Sequence, residues 1–425
     1  MTLQQLLLGK SDCPCGKVHD CPIRHVVIKT DACRHLPKVT QAYHHILVVA
    51  DTNTYAACGA RVCEVLADRV CDTLIYTPEG ILVPDESAIA ALRARVSDRV
   101  DLILGIGSGV INDLCKFVSF DCGLPYVIVA TAPSMDGYAS RGAALILDGM
   151  KVTLNAAVPQ AIVADVDVLA AAPMDMIRAG YGDIIGKYSC LNDWRLSREV
   201  RGEYLCEYVL QATYDEVEKT VALADGIAAR SPEAIGALME ALVAVGILMA
   251  YVGNSRPASG SEHHMSHYFE IVGLTRGEPY LPHGIDVCCS AVQTALLREK
   301  LLSLDGSALL SAAFDRERYE RDVRRIYGTV ADEVIALQNK MGWYDTNRIP
   351  AYREKWARIR EILADCPTAE QLLALVTRVG ISYEDFCALY GDQKIKDGLL
   401  YAKDLKDRYT VLWMYCDLYF GGTFA

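Results

Sequence analysis

The chain has 425 residues, with 52% hydrophobic and 23% charged side chains, enough apolar material for about two domains and no compositional mark of disorder. Lys and Arg total 42 against 54 Asp and Glu, a formal charge of −12; this disfavours a nucleic-acid partner, whose affinity rests largely on clustered cations, and favours a small metabolite. The 16 cysteines run from Cys13 to Cys416, and the opening MTLQQLLLGK lacks a signal-peptide apolar core, so reduced thiols in the cytoplasm are expected. The most membrane-like stretch, from Ala234 to Val252, carries Glu240 and two glycines and lacks basic flanks, which predicts a buried core helix and no membrane insertion.

In chain order, ILVVA (46–50), DTLIY (72–76), DLILG (101–105) and PYVIVAT (125–131) are β-branched runs separated by stretches of helical period. Strands alternating with helices predict βαβ units and a mostly parallel sheet covered on both faces. AALIL and KVTLN flank Asp148-Gly149, a dipeptide suited to a tight hairpin turn, and AIVAD (161–165) reads as one further strand. Beyond Asp165 the composition turns to Ala, Leu, Glu and Arg, and Pro173, Pro232, Pro257, Pro282 and Pro350 divide it into separate helices. The expected architecture is an α/β Rossmann-like domain over 1–165 and an all-α domain over 166–425, packed closely enough to share a cleft.

GIGSGVINDLCK (105–116) follows a strand and opens a helix. Glycines so spaced let backbone amides approach an anion at the positive end of the helix dipole, although Val110 stands where the dinucleotide fingerprint would place its last glycine. The alternative is a tight strand-to-helix turn that needs glycine for itself. Asp51 ends the first of these strands, where a carboxylate can meet ribose hydroxyls or cap the next helix. The loop from Thr131 to Ser140 is rich in hydroxyls and belongs to the same sheet edge.

Five of the nine histidines precede residue 46; the rest are His263, His264, His267 and His283. His263 and His267 share a face if their segment is helical, and imidazoles so clustered suit a borderline metal such as zinc. Solvent-exposed or core histidines without a metal are the plain alternative. Asp183, in AGYGDIIGKY, is a candidate carboxylate ligand, or else an i, i+4 ion pair with Lys187. The N-terminal Cys13-Pro-Cys15-Gly…His19…Cys21 is too compressed for the usual structural zinc spacings and reads as a loop with ordinary thiols.

Taken together, GIGSGVIND, TAPSMDGYAS, GYGDIIGKY, SGSEHHMSH and LPHGIDV resemble, in order and spacing, the signatures of the sn-glycerol-1-phosphate dehydrogenases, a family of the iron-containing alcohol dehydrogenase and dehydroquinate synthase-like superfamily. The resemblance runs from about residue 20 to about 300, and even the CxCG…H opening is similar to the bacterial branch. It implies a dehydroquinate synthase-like fold with metal and NAD(P)H between the domains. Matched position by position, Asp183, His263 and His283 correspond to metal ligands, with Zn²⁺ the default and Ni²⁺ or Fe²⁺ as alternatives. His267 and Asp136 correspond to substrate contacts, with Asp183 near the substrate and, with His267, at the reacting centre. Asp51, Gly109, Val110, Ile111, Asn112, Asp113, Thr131, Ser134 and Ser140 correspond to dinucleotide contacts, and Gly107 and Ser108 join them as the turn itself. Two departures stand out: His264 adds an imidazole beside His263, and SGVIND replaces a glycine-and-basic version of the phosphate turn.

The implied reaction is reversible reduction of dihydroxyacetone phosphate to sn-glycerol 1-phosphate, with the metal as Lewis acid on the ketone oxygen. Asp51 inclines the cofactor toward NADH. Arg256 and Ser259, in NSRPASGS, are the expected partners of the substrate phosphate. The alternatives are a glycerol or polyol dehydrogenase acting on an unphosphorylated substrate, a dehydroquinate synthase-type lyase, for which no basic cluster near the metal motif is evident, and a nucleotide- or metal-binding protein without turnover. A homodimer or larger homo-oligomer is expected.

Overall fold

The computed structural model describes residues 2–147, 150–306, 309 and 313–419. The chain divides into two compact units, Met1–Ile184 with Gln211–Ser255, and Ile185–Leu210 with Arg256–Ala425.

The first unit is built on strands β1 (His25–Lys29), β2 (Ile46–Asp51), β3 (Val70–Tyr76), β4 (Leu102–Gly107), β5 (Tyr126–Ala130) and β8 (Ala161–Asp165), with a hairpin of β6 (Gly142–Leu147) and β7 (Met150–Asn155). The six-stranded sheet runs β1-β8-β5-β4-β2-β3 with every pairing parallel. β2, β4, β5 and β8 are continuous apolar runs because both faces are covered. On one face Val48, Ala50, Leu104, Ile106, Val127 and Val129 pack on Leu36, Val62 and Leu66. Leu47, Val49, Ile103 and Ile128 are equally buried on the other. Each of the Val, Leu and Ile side chains contributes roughly 1.5–3 kcal/mol of burial free energy.

All the expected strands are present, and β6 and β7 pair antiparallel in the anticipated hairpin, while Asp148 and Gly149 lie outside the described residues. HVVIK, as β1, is an addition: a five-residue edge strand, partly exposed, has too little pattern to stand out in the sequence.

Strand structure stops at Asp165 as expected, and only helices and short connections follow among the described residues. The compact units, however, do not divide at 165. The first extends to Ile184 and takes in the helix Pro232–Val252, which packs against Leu3–Leu7, β1, Asp136–Ala139 and Val166–Ala171. That helix is apolar all round and long enough by composition to cross a membrane, yet 78% of its most apolar window is buried, the mark of a core helix. The prolines act as helix starts: Ser231 caps and Pro232 opens one helix, Pro282 is the cap of another (His283–Leu302), and Pro350 lies in the first turn of a third (Ile349–Glu354).

The second unit is helical. Asp193, on the helix Lys187–Arg201, anchors three segments by accepting from the amide of Ser261 (2.7 Å), the amide of Val411 (2.9 Å) and the guanidinium of Arg298 (2.8 Å). The buried ion pair with Arg298 fixes the start of the helix Ser261–Arg276, which carries three of the clustered histidines.

Candidate dinucleotide and metal sites

In the first unit the chain switches direction around β2. β3 lies on one side of it and β4 on the other, so the connections after β2 and β4 diverge and leave a crevice at the carboxyl edge. The register pairs Ala50 with Ile106 and Gly107 with Ala130, which sets Asp51, Gly107 and Thr131 side by side on that edge. Ser108 is the N-cap residue of the helix Gly109–Asp121, whose open amides face the crevice. Gly105 and Gly107 serve packing: a Cβ on Gly107 would lie 2.6 Å from the Ile111 side chain, and one on Gly105 2.9 Å from Cys115 Sγ. Gly109 has room for a side chain in the described structure.

The two loops expected to converge do so. Thr131 donates its amide to Gly107 O at 3.1 Å, and the hydroxyls of Ser108 and Ser134 meet. Lys116 closes the GIGSGVINDLCK segment. Fully buried, it donates from Nζ to the carbonyls of Gly137 and Gly142 (both 2.8 Å) and to Ser140 Oγ (3.3 Å), so it fastens the second loop to the glycine-turn helix. Burial pushes its pKa down, against the pull of Asp113. Asp113 accepts from the amide of Ala144 at 3.1 Å and lies 3.5 Å from Lys116, so its carboxylate also serves this framework. Asp51 does cap the next helix through Oδ1, which accepts from Thr54 N–H at 2.8 Å.

Asp183 sits near the end of the helix Met174–Ile185, buried, with Oδ2 accepting from the amide of Asp136 at 2.9 Å. Gly180 makes this approach possible, since a Cβ there would stand 1.8 Å from the carbonyl oxygen of Pro133. The AGYGD pattern thus lets a helix lie directly on the TAPSMDG loop.

In the second unit His263, His267 and His283 form a cluster, with ring centroids 5.2 Å (His263–His283), 5.4 Å (His267–His283) and 6.3 Å (His263–His267) apart. Glu262, missed in the sequence, lies 2.7 Å from His263 Nδ1 and also accepts from Gly260 N–H at 2.8 Å. Burial opposes its charge, but the hydrogen bond and charge of His263 hold its pKa below the usual carboxylate range. An ionised carboxylate only accepts, so Nδ1 of His263 carries a proton, and in the neutral ring the lone pair is on Nε2. Ser266 does the same for His283: its hydroxyl donates to the His283 carbonyl (3.3 Å) and faces Nδ1 at 3.1 Å. Imidazoles fixed in this way through Nδ1 are what a metal site requires, so this donor set fits a divalent ion. Glu270 lies 4.0 Å from His267 Nδ1, and His267, Glu270 and His283 bring donor atoms within 4.8 Å of one another. Tyr390 secures the other histidine helix by donating to Asp286, 2.8 and 2.9 Å from its two carboxylate oxygens.

His264 is not among these donors. It is fully buried, neither ring nitrogen has a hydrogen-bond partner among the described residues, and burial together with the charges of Arg408, Lys406 and Arg256 holds it neutral. Arg256 itself is buried in a two-pronged ion pair with Glu203, at 2.9 and 2.6 Å, and donates to Tyr409 O at 2.7 Å. Arg408 donates to the carbonyl of Ser259 at 2.6 Å. The basic cluster that no local motif revealed is therefore assembled from the 256–264 segment and the far C-terminal 403–411 segment.

A switch-point crevice lined by amides and hydroxyls, and histidines preset for a divalent ion, define a metal-dependent, nicotinamide-linked oxidoreductase of the iron-containing alcohol dehydrogenase class, and the model of that family matches residues 27–173. The glycerol-1-phosphate dehydrogenase (NAD(P)+) of Geobacillus stearothermophilus is 31% identical over 427 aligned positions, covering 99% of both chains. That of Bacillus subtilis strain 168 is 34% identical over 266, covering 62% of this chain and 68% of the relative. Among solved structures, sulfoacetaldehyde reductase from Bifidobacterium kashiwanohense in complex with NAD+ superposes with a TM-score of 0.60 at 14% identity, covering 95% of this chain and 99% of the other. A probable glycerol dehydrogenase from Sinorhizobium meliloti 1021 gives 0.51 at 20% identity, covering 84% and 97%; both share the fold. The chain belongs to the glycerol-1-phosphate dehydrogenase family. The similarity includes the C-terminal residues, which the sequence motifs left out.

Proposed function

We propose that this protein reduces dihydroxyacetone phosphate to sn-glycerol 1-phosphate with NADH or NADPH, in a cytoplasmic homo-oligomer. The presetting of His263 and His283 through Glu262 and Ser266 carries the proposal, because a merely structural histidine pair needs no such tautomer control. Asp183, His263 and His283 would hold the metal, with Zn²⁺ the default for two imidazoles and a carboxylate. When bound, the metal supplies Lewis acidity at the ketone oxygen and the nicotinamide supplies the hydride.

The chain's own residues do the rest. His267, with Glu270 4.0 Å from Nδ1, would hold a substrate hydroxyl and pass a proton to the product oxygen. Asp136 orients Asp183 through its amide. Ser108, Gly109, Val110 and Ile111 present turn and helix amides to the pyrophosphate, flanked by Gly107 at the strand end and by Asn112, whose amide closes the first helical turn on Ser108 O at 2.9 Å; Asp51 meets the adenosine ribose through the oxygen not used in capping, and Thr131 and Ser134 line the same edge. Asp113 and Ser140 act by positioning, through Ala144 and Lys116.

For the substrate phosphate we assign Arg408, with Lys406, in place of Arg256 and Ser259. Glu203 already neutralises Arg256, and Ser259 contributes a carbonyl to Arg408. The test is oxidation of NADH with dihydroxyacetone phosphate against unphosphorylated dihydroxyacetone. A strong preference for the phosphorylated ketone supports the reading; equal or better use of the free ketone makes the protein a polyol dehydrogenase.

A further inference from the structure

We infer that Cys13, Cys15 and His19 form a second metal site, separate from the proposed catalytic donors, which takes a thiophilic divalent ion such as Zn²⁺ and fastens the N-terminal segment to the helix Pro232–Val252. The chain folds these residues to one point by local means. Lys10 and His19 exchange both backbone hydrogen bonds, at 2.7 and 2.9 Å, which closes the loop between them. Gly16 turns the loop tip with φ +82°, its amide bonded to Cys13 O at 3.0 Å. Gly9, φ +75°, passes so close to the His19 carbonyl that a Cβ would stand 2.6 Å from it. A spacing that looks too compressed along the chain thereby becomes a three-donor cluster, with the Cys13 and Cys15 sulfurs and a His19 nitrogen within 4.8 Å of one another.

The donor geometry is that of a metal site. His19 Nδ1 lies 3.0 Å from the carbonyl oxygen of Tyr251, which can only accept, so Nδ1 carries the proton and Nε2 is the lone-pair nitrogen. Nε2 faces Cys15 Sγ at 3.3 Å. Two ligands at about 2.3 Å (sulfur) and 2.0 Å (nitrogen) from a tetrahedral zinc stand about 3.5 Å apart. Cys13 is buried, and the His19 ring stacks on Tyr251 at 5.2 Å and 15°, so the cluster is partly screened from water. Three donors leave one place of the tetrahedron for a further ligand. Tyr251 lies on Pro232–Val252, the helix in which a Cβ on Gly246 would stand 2.7 Å from the carbonyl oxygen of Asp136. The site therefore secures a helix that lies directly beneath a proposed substrate contact.

The test is cobalt substitution, because the proposed catalytic donors contain no sulfur. Full-length protein and the H263A/H283A variant, each reconstituted with Co²⁺, are expected to show sulfur-to-cobalt charge-transfer absorption from one ion per chain. C13S/C15S is expected to lose it. In case that double variant fails to fold, C15S alone is expected to weaken Co²⁺ binding at least tenfold, and chelation of the wild type to accelerate amide exchange at Lys10 and His19 at least tenfold. Absence of the absorption from the wild type, its persistence in C13S/C15S, or unchanged cobalt affinity in C15S would overturn the inference. Failure of ketone reduction alone would leave this readout unaffected.

Discussion

Nδ1 of His263 lies 2.7 Å from Oε1 of its chain neighbour Glu262, and that carboxylate also receives the amide of Gly260. Two adjacent residues on one helical turn ordinarily diverge; here the carboxylate folds back over the helix start and fixes the imidazole. E262Q should therefore keep the fold but lower metal affinity about 10- to 100-fold, as loss of an outer partner of a metal-bound histidine does. Metal titration of the chelated protein measures it.

H267A should retain one catalytic metal per chain and lose activity by about 10²-fold or more, the usual worth of a positioned proton-transfer group. E270Q should shift the pH profile of kcat with a smaller loss. Disappearance of the metal in H267A would move His267 into the ligand set with Glu270 and His283.

Gly180 is the close approach on which Asp183 depends. Adding a methyl group 1.8 Å from Pro133 O forces the helix off its loop, so G180A should destabilise the protein by about 1–3 kcal/mol or more. It should also weaken metal binding, read by urea unfolding and metal titration on the same samples.

The two arginines should separate cleanly. R408A should raise KM for dihydroxyacetone phosphate at least tenfold while leaving KM for the nucleotide unchanged. R256A should leave KM for the ketone near wild type and destabilise the fold by about 2–3 kcal/mol, less than a fully buried pair because Glu203 is 34% exposed.

Acid stability follows from the same pair. Burial works against the Glu203 charge, but Arg256 holds its pKa below the usual carboxylate value. A carboxylate lowered in the folded state contributes stability that is fully present above its unfolded pKa of about 4.3 and lost as pH falls through the folded value. Urea midpoints should fall below pH 4.5, and less steeply in E203Q.

The α/β half was legible because buried parallel strands are written as continuous apolar runs, and the AIVAD run is one of them. β1 was not, since an edge strand alternates weakly over five residues. The histidines and Asp183 proposed for the metal site stood out by chemistry and spacing. Glu262 and Lys116 did not, because a carboxylate at a helix start and a lysine in an amphipathic helix have ordinary explanations until their partners are seen. Arg408 was hidden by sequence distance: it meets Ser259 across 149 positions, a proximity no local pattern records. Arg256 is next to the histidine motif in sequence, and its pairing with Glu203, 53 positions away, is likewise invisible to a local pattern.

The most direct measurement is chiral analysis of the product formed from dihydroxyacetone phosphate and NADH by the chelated protein before and after Zn²⁺ is restored. The proposed function predicts product only after metal restoration, all of it sn-glycerol 1-phosphate. Product of the opposite configuration, or equal turnover without metal, would contradict it.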